Sequence, residues 1–183
     1  MIKDLLAETG DRMSQAVEHV TSEFATVRTG RANPQILARI TVDYYGQPTS
    51  LLQLASVSVP EPRLLVVSPF DRSSMTNIER AISQSDLGLN PSNDGTVIRL
   101  SFPPLTAERR DDLIRVVRNM AEEGRVAVRN VRRHSKSDME ALHGEISDDE
   151  IRRAEKELQE VTDAHISRID SLLENKESEL REV

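Results

Sequence analysis

The most constraining feature of the chain is a helical period that runs unbroken from Thr106 to about Leu142. Leu113, Val117, Met120, Gly124, Ala127, Val131 and Leu142 mark its apolar side. At 1.5 Å per residue such a helix is about 55 Å long. A stripe that long is buried only along other helices, which predicts a bundle or a coiled coil. Two partners are present. Residues 2–29 carry a stripe of Leu5, Leu6, Met13, Val17, Val20, Phe24 and Val27, with Gly30 as a stop and Asn33-Pro34 as a break. Ser147-Asp148-Asp149-Glu150 reads as a capping box after a loop near Gly144. The third helix follows on Ile151, Ala154, Leu158, Val161, His165, Ile169 and Leu172.

Between the first two stripes the period changes. Ile36–Tyr45 mixes β-branched and aromatic residues, with Gly46-Gln47-Pro48 as a turn. Leu51–Val59 alternates in part and Pro60-Glu61-Pro62 breaks it. Leu64–Val67 reads as a buried strand, and a helix follows on Met75, Ile78, Ala81 and Ile82, capped by Ser73 or Ser74. Asn90-Pro91 and Asn93-Asp94-Gly95 signal turns before a strand over Thr96–Phe102, and Pro103-Pro104 ends the segment. The expected class is α+β: a long three-helix bundle (1–30 and 105–183) with an inserted β/α/β domain (31–104) whose two ends meet.

Composition narrows function. The 183 residues include no cysteine, so disulfides, thiolate chemistry and cysteine metal sites are excluded. Aromatics are 3% with no Trp, which argues against base stacking as the main binding device. The four histidines His19, His134, His143 and His165 lack metal-ligand spacing, and no GxGxxG, P-loop or GxSxG occurs. No catalytic, cofactor or metal site is expected. No apolar run approaches the ~18 residues of a membrane span, and MIKDLLAETGDR lacks a signal-peptide core, so a cytoplasmic protein with no membrane partner is expected.

The net charge of -7 hides an asymmetry. Residues 105–136 carry 9 basic and 5 acidic side chains, whereas 137–183 carry 6 and 15. Arg118, Arg125, Arg129, Arg132 and Lys136 are spaced 7, 4, 3 and 4 on the second helix, flanked by Arg133. At 100° per residue the five fall within about 60° of arc, expected to lie opposite the apolar stripe. Arginine forks match phosphate oxygens, so the strip fits an RNA groove. It equally fits a solvated face neutralised by the acidic third helix, and the strip alone leaves both open. Arg28-Thr29-Gly30-Arg31 reads either as a phosphate grip around a hinge or, more simply, as a glycine C-cap with cations favoured by the helix dipole.

Longer motifs point to a family. Arg28-Thr-Gly-Arg-Ala-Asn-Pro34, Tyr44-Tyr-Gly46, Leu52-Gln-Leu-Ala55, Phe70-Asp-Arg72, Ser85-Asp-Leu-Gly-Leu-Asn-Pro91, Pro103-Pro-Leu-Thr106 and Arg125-Val-Ala-Val-Arg-Asn-Val-Arg-Arg133 recur in order along the chain. In these the chain resembles the ribosome recycling factors over essentially its whole length. The resemblance implies an L-shaped molecule that binds the ribosome after termination. With elongation factor G, which hydrolyses the GTP, it would separate the subunits. It implies that the bundle lies on the large subunit and its RNA, that the inserted lobe faces the small subunit and the elongation factor, and that DNA is no partner. It assigns Arg125, Arg129, Arg132 and Arg133 to ribosomal RNA, Arg132 foremost, with Arg28 and Arg31 matching and Arg118 and Lys136 as further contacts. Gly30, Pro103 and Pro104 match the interdomain hinge. The rival expectation is a coiled-coil adaptor for protein partners.

Overall fold

The structure, a computed structural model, describes residues 1–182. The elements are α1 (Ile2–Thr26), β1 (Thr41–Tyr44), β2 (Gln47–Ser50), α2 (Leu51–Leu54), β3 (Ala55–Glu61), β4 (Leu64–Pro69), α3 (Met75–Gln84), β5 (Pro91–Asn93), β6 (Ile98–Ser101), α4 (Ala107–Ala141) and α5 (Asp148–Arg181). They fall into two compact units. One is Met1–Arg28 with Ala107–Glu182, the other Thr29–Thr106. The class is α+β, a helical bundle and a small antiparallel-sheet unit.

In the first unit α1, α4 and α5 pack on one another. Met13, Val17 and Val20 of α1, Val117 and Val128 of α4, and Leu158 and Ile169 of α5 are almost wholly shielded from water. Burying each contributes about 1.5–3 kcal/mol. Gly124 marks a close approach of the three helices. A Cβ there would stand 2.3 Å from Val20 Cγ2 and 3.3 Å from Ile169 Cδ1. One polar contact lies inside the seam: Thr9 and Ser135 share a hydrogen bond of 2.6 Å between hydroxyls. At the start of α5, Ser147 caps as its sequence predicts, accepting the Glu150 N–H.

The buried line on α4 differs from the expected stripe. Ile114, Ala121, Val128, Ser135 and Met139 are buried, whereas Met120, Ala127 and Val131 are half-exposed. The seam is rotated by about 50° from the expected line, because α4 faces two helices and is apolar on both flanks. The basic strip is therefore not opposite the seam. It runs about 80° from the seam's centre, along the flank.

In the second unit the sheet order is β3-β4-β6-β5, every neighbour antiparallel, with β1-β2 as a separate hairpin. Leu65 and Val67 on β4 and Ile98 and Leu100 on β6 alternate inward. They form one core with Ile78 and Ile82 of α3. Both ends of the unit are tied to one turn. Ala32 N–H donates to the Pro62 carbonyl at 2.7 Å and Phe102 N–H to the Arg63 carbonyl at 2.9 Å.

Several local expectations change. α1 stops at Thr26 with Val27 extended, so Gly30 (φ +75°) is a linker residue and not the helix cap. The strand expected from Ile36 starts only at Thr41. Asn33 accepts the Gln35 N–H, and with Pro34 it starts a 3-10 turn over Pro34–Arg39. The β1–β2 turn is Tyr45-Gly46 alone, with Gln47 and Pro48 already paired in the edge strand. Leu51–Leu54 coils into one helical turn before β3. Pro60 stays within β3, where the pairing shifts between Ser58 and Glu61, since a bulge on an edge strand needs no proline N–H. Pro91 likewise opens edge strand β5. The turn before α3 is capped by Asp71, which accepts the Ser73 N–H, while Ser74 makes no side-chain cap.

Candidate nucleic-acid interface

The basic side chains of α4 stand beside α5, and the two helices run antiparallel. Arg118 forks onto Glu177, Nε to Oε1 at 2.5 Å and Nη2 to Oε2 at 3.1 Å. Arg181 joins the same carboxylate at 2.9 Å. One turn-pair further, Arg125 Nη2 meets Asp170 Oδ1 at 2.7 Å and its Nη1 meets Glu122 Oε2 at 3.0 Å. Arg129 Nη1 takes the other oxygen of Glu122 at 3.0 Å. Lys136 Nζ lies 3.8 Å from Glu140 and 3.7 Å from Glu155. Residues 124–136 contain no acid, yet Arg125, Arg129 and Lys136 are answered by acids one or two turns away on α4 or by acids on α5.

The ionisation pattern follows from these contacts. Hydrogen bonding from Arg118 holds the Glu177 carboxyl below its usual range, and Arg129 and then Arg125 do the same for Glu122. Burial works against the charge of Arg125, but hydrogen bonds to Asp170 and Glu122 outweigh it and raise its pKa. Exposed pairs of this kind contribute little to stability, because water and salt screen them. Their weight here is in what they leave uncommitted.

Arg132 is the exception within the strip. It lies four residues after buried Val128 and three before buried Ser135, and it is half-buried. Its Nε is shielded from water with no hydrogen-bond partner. The register set by Arg118–Glu177, Arg125–Asp170 and Lys136–Glu155 brings Val161–Asp163 level with it. Thr162 there is buried and donates to the Leu158 carbonyl, while Asp163 already accepts from Gln159 Nε2 at 2.7 Å. Arg133 is exposed and bonded to the Asn130 amide oxygen, a neutral partner.

The other expected site residues lie elsewhere. Arg28 and Arg31 are exposed in the connection after α1. Neither is in the last helical turn, so the C-cap explanation of the pair does not hold. Pro103 and Pro104 are exposed in the connection before α4. His165 bridges α5 and α1. Its Nδ1 donates to the Val161 carbonyl at 2.7 Å and its Nε2 lies 3.1 Å from Ser14 Oγ. Among the described residues no three His, Asp or Glu side chains are grouped as metal ligands, and no helix is long and apolar enough to cross a membrane.

The sequence offered neutralisation by the acidic third helix as one reading of the strip, but named none of the carboxylates that answer it. A signal was present: Asp170 and Glu177 are seven apart on α5, as Arg118 and Arg125 are on α4. The contact of Tyr44 and Tyr45 with Asp71 was also missed, since nothing linear joins positions 26 and 27 residues apart.

Fold and strip together define a two-unit α+β protein whose bundle presents cations along one flank. The family model described as Ribosome recycling factor matches residues 20–180. The ribosome-recycling factor of Rubrobacter xylanophilus is 57% identical over 180 residues, 97% of each chain. A solution structure of the ribosome recycling factor superposes with a TM-score of 0.76 at 43% identity, covering 100% of this chain and 98% of that one. A structure of the T. thermophilus ribosome recycling factor, with E. coli elongation factor G bound to the E. coli post-termination complex, gives a TM-score of 0.64. It is 48% identical and covers 98% of each chain. The chain belongs to the ribosome recycling factor family.

Proposed function

We propose that this protein recycles ribosomes. It binds the post-termination ribosome and, with elongation factor G and GTP hydrolysed by that partner, separates the subunits. The observation that carries this reading is likeness to recycling factors across both units, including the T. thermophilus factor described with elongation factor G in the post-termination complex. The partner hydrolyses the nucleotide, so this chain supplies surfaces and stiffness, not reacting groups. It works in the cytoplasm, where ribosomes are.

On this reading the α4 flank docks on large-subunit RNA. Arg132 leads, because its guanidinium has no acidic partner to give up. Arg133 follows, exchanging an amide for a phosphate. Arg129, Arg125, Arg118 and Lys136 contribute less, since each first releases a carboxylate. Arg28 and Arg31 add exposed cations in the connection after α1. Gly30, Pro103 and Pro104 serve as the hinge that lets the second unit reorient against the small subunit and the elongation factor while the long helices resist bending.

Light scattering of post-termination ribosomes with elongation factor G and GTP tests the reading. The chain is expected to split subunits, and a chain lacking residues 32–103 to bind large subunits without splitting them. Splitting by that shortened chain contradicts the mechanism. A coiled-coil adaptor would bind no subunit in a salt-dependent way.

A further inference from the structure

The chain has two Tyr, three Phe and no Trp, and its two tyrosine rings meet in the second unit. Tyr44 and Tyr45 end β1 and open the hairpin turn, their ring centroids 4.6 Å apart and nearly perpendicular. Both hydroxyls donate to Asp71 Oδ2 at 3.3 Å, and the Tyr45 hydroxyl also lies 3.2 Å from Ser73 Oγ. Phe70 precedes that aspartate and is held by its own N–H on the Leu54 carbonyl at 3.0 Å. Tyr44 packs on the core, but Tyr45 is 77% exposed and Phe70 72% exposed. In an aromatic-poor chain, one exposed ring is hydrogen-bonded to the Asp71 carboxylate and the other belongs to the residue just before that aspartate.

A second observation is independent of exposure. Tyr45 has φ +50°, the one non-glycine residue with positive φ among those described. That turn position favours Gly, Asn or Asp, and a bulky ring there is strained. The hairpin does not need tyrosine to form. Its ring is displayed at a cost in backbone energy, and such strain gathers at functional sites.

The chemistry selects the ligand class. Hydrogen bonds from Ser73, and then from Tyr45 and Tyr44, hold the Asp71 carboxyl below its usual range, so it is ionised at neutral pH. Asp43 lies two residues before Tyr45 in the hairpin, its Oδ1 accepting the Gly46 N–H, so Tyr45 has a carboxylate at each end: Asp43 near its backbone and Asp71 at its hydroxyl. Phosphate is repelled by this arrangement. An arginine or lysine is attracted twice, by the ring faces and by the carboxylate.

We propose that the Tyr45–Phe70–Asp71 corner is a docking surface for a basic segment of a partner protein, whose arginine or lysine lies on the exposed rings with its charge against Asp71. It is independent of the arginine strip and rests on the recycling reading only for the complex in which it is tested. Rings that anchor an interface cost about 30-fold or more in affinity when truncated.

The test places p-benzoylphenylalanine at position 70 of the full chain and irradiates it with post-termination ribosomes and elongation factor G. The expected adducts are to protein, survive ribonuclease and diminish on adding Asp71→Asn, which keeps the capping oxygen. Adducts that ribonuclease removes would assign the corner to RNA and overturn the proposal. So would the absence of any adduct; co-sedimentation with large subunits then tells whether the recycling reading fell with it. Tyr45→Asn supplies a second readout. It relieves the turn, so it should melt higher than the parent yet split subunits about tenfold more slowly. Unchanged splitting would make Tyr45 a turn residue and nothing more.

Discussion

Carboxylates do different work in the two units. In the bundle, Glu122, Asp170 and Glu177 face arginines and neutralise a cationic flank. In the inserted unit, Asp43, Asp71 and Asp94 accept backbone N–H groups and hold turns: Gly46 for the first, Ser73 for the second, Thr96 and Val97 for the third. The first kind of contact is Coulombic, screened by salt and exchangeable for phosphate. The second kind is directional and fixes a loop. Acids therefore neutralise arginines in one unit and set the turns in the other.

The largest effects should come from breaking one unit at a time. Val128→Asp buries an unpaired charge in the α1–α4–α5 seam and should unfold the bundle, a loss of several kcal/mol. Val131→Asp, half-exposed, should cost far less, and equal damage from the two would refute the seam described above. Leu100→Ala should cost about 2–5 kcal/mol in the inserted unit instead. Hydrogen exchange resolves which unit opens in each variant. Gly124→Leu comes next. Val20 is β-branched and stiff in its helix, so overpacking should cost about 1–3 kcal/mol by thermal melting.

Acid separates the two kinds of carboxylate. Asp71, Asp94, Glu122 and Glu177 all titrate below their ordinary range in the folded protein. Depressed carboxylates stabilise fully above the unfolded value, near pH ~4, and that contribution is lost as pH falls through the folded values. Stability should be flat from neutrality to about pH 5 and fall below that. In 1 M salt the depression of Glu122 and Glu177 should shrink, because arginine causes it, while that of Asp94, caused first by the Val97 N–H, should persist. Carboxyl titrations by NMR at two salt concentrations check this, and equal shrinkage in both units would erase the distinction.

The smallest effect sharpens the bundle's side. Gly10 lies inside α1 and a Cβ there meets nothing within 4 Å. Gly10→Ala should stabilise by about 0.5–1 kcal/mol, read from urea unfolding. A loss would mean that Gly10, like Gly124, is a close approach.

The long helices were legible because a 3.6-residue period repeated over many turns averages out exceptions such as Gly10. The seam's angle was not. Apolar Leu113 and Val131 on one flank and Ile114 and Val128 on the other both fit a stripe. Ser135 is buried despite its hydroxyl, because Thr9 satisfies it. Short elements were the least legible. Ile36–Ile40 and Leu51–Leu54 have the residues of strands, and caps at Asn33 and tertiary packing made them turns. The strip was readable on one helix, whereas its neutralisation depends on how two helices align. The aromatic corner needed the sign of one backbone angle at Tyr45, which composition does not carry.

Arg132 holds the uncommitted guanidinium of a largely neutralised strip. Co-sedimentation with purified large subunits across a salt series tests this, comparing Arg132→Glu with Asp170→Asn. Arg132→Glu should keep the fold, bind at least about tenfold more weakly and lower the salt slope by about 1. Asp170→Asn leaves Arg125 only Glu122 of its two acidic partners and should bind as tightly as the parent or tighter, with a steeper slope. Arg132→Glu binding like the parent at every salt concentration, or Asp170→Asn binding more weakly, would contradict the account.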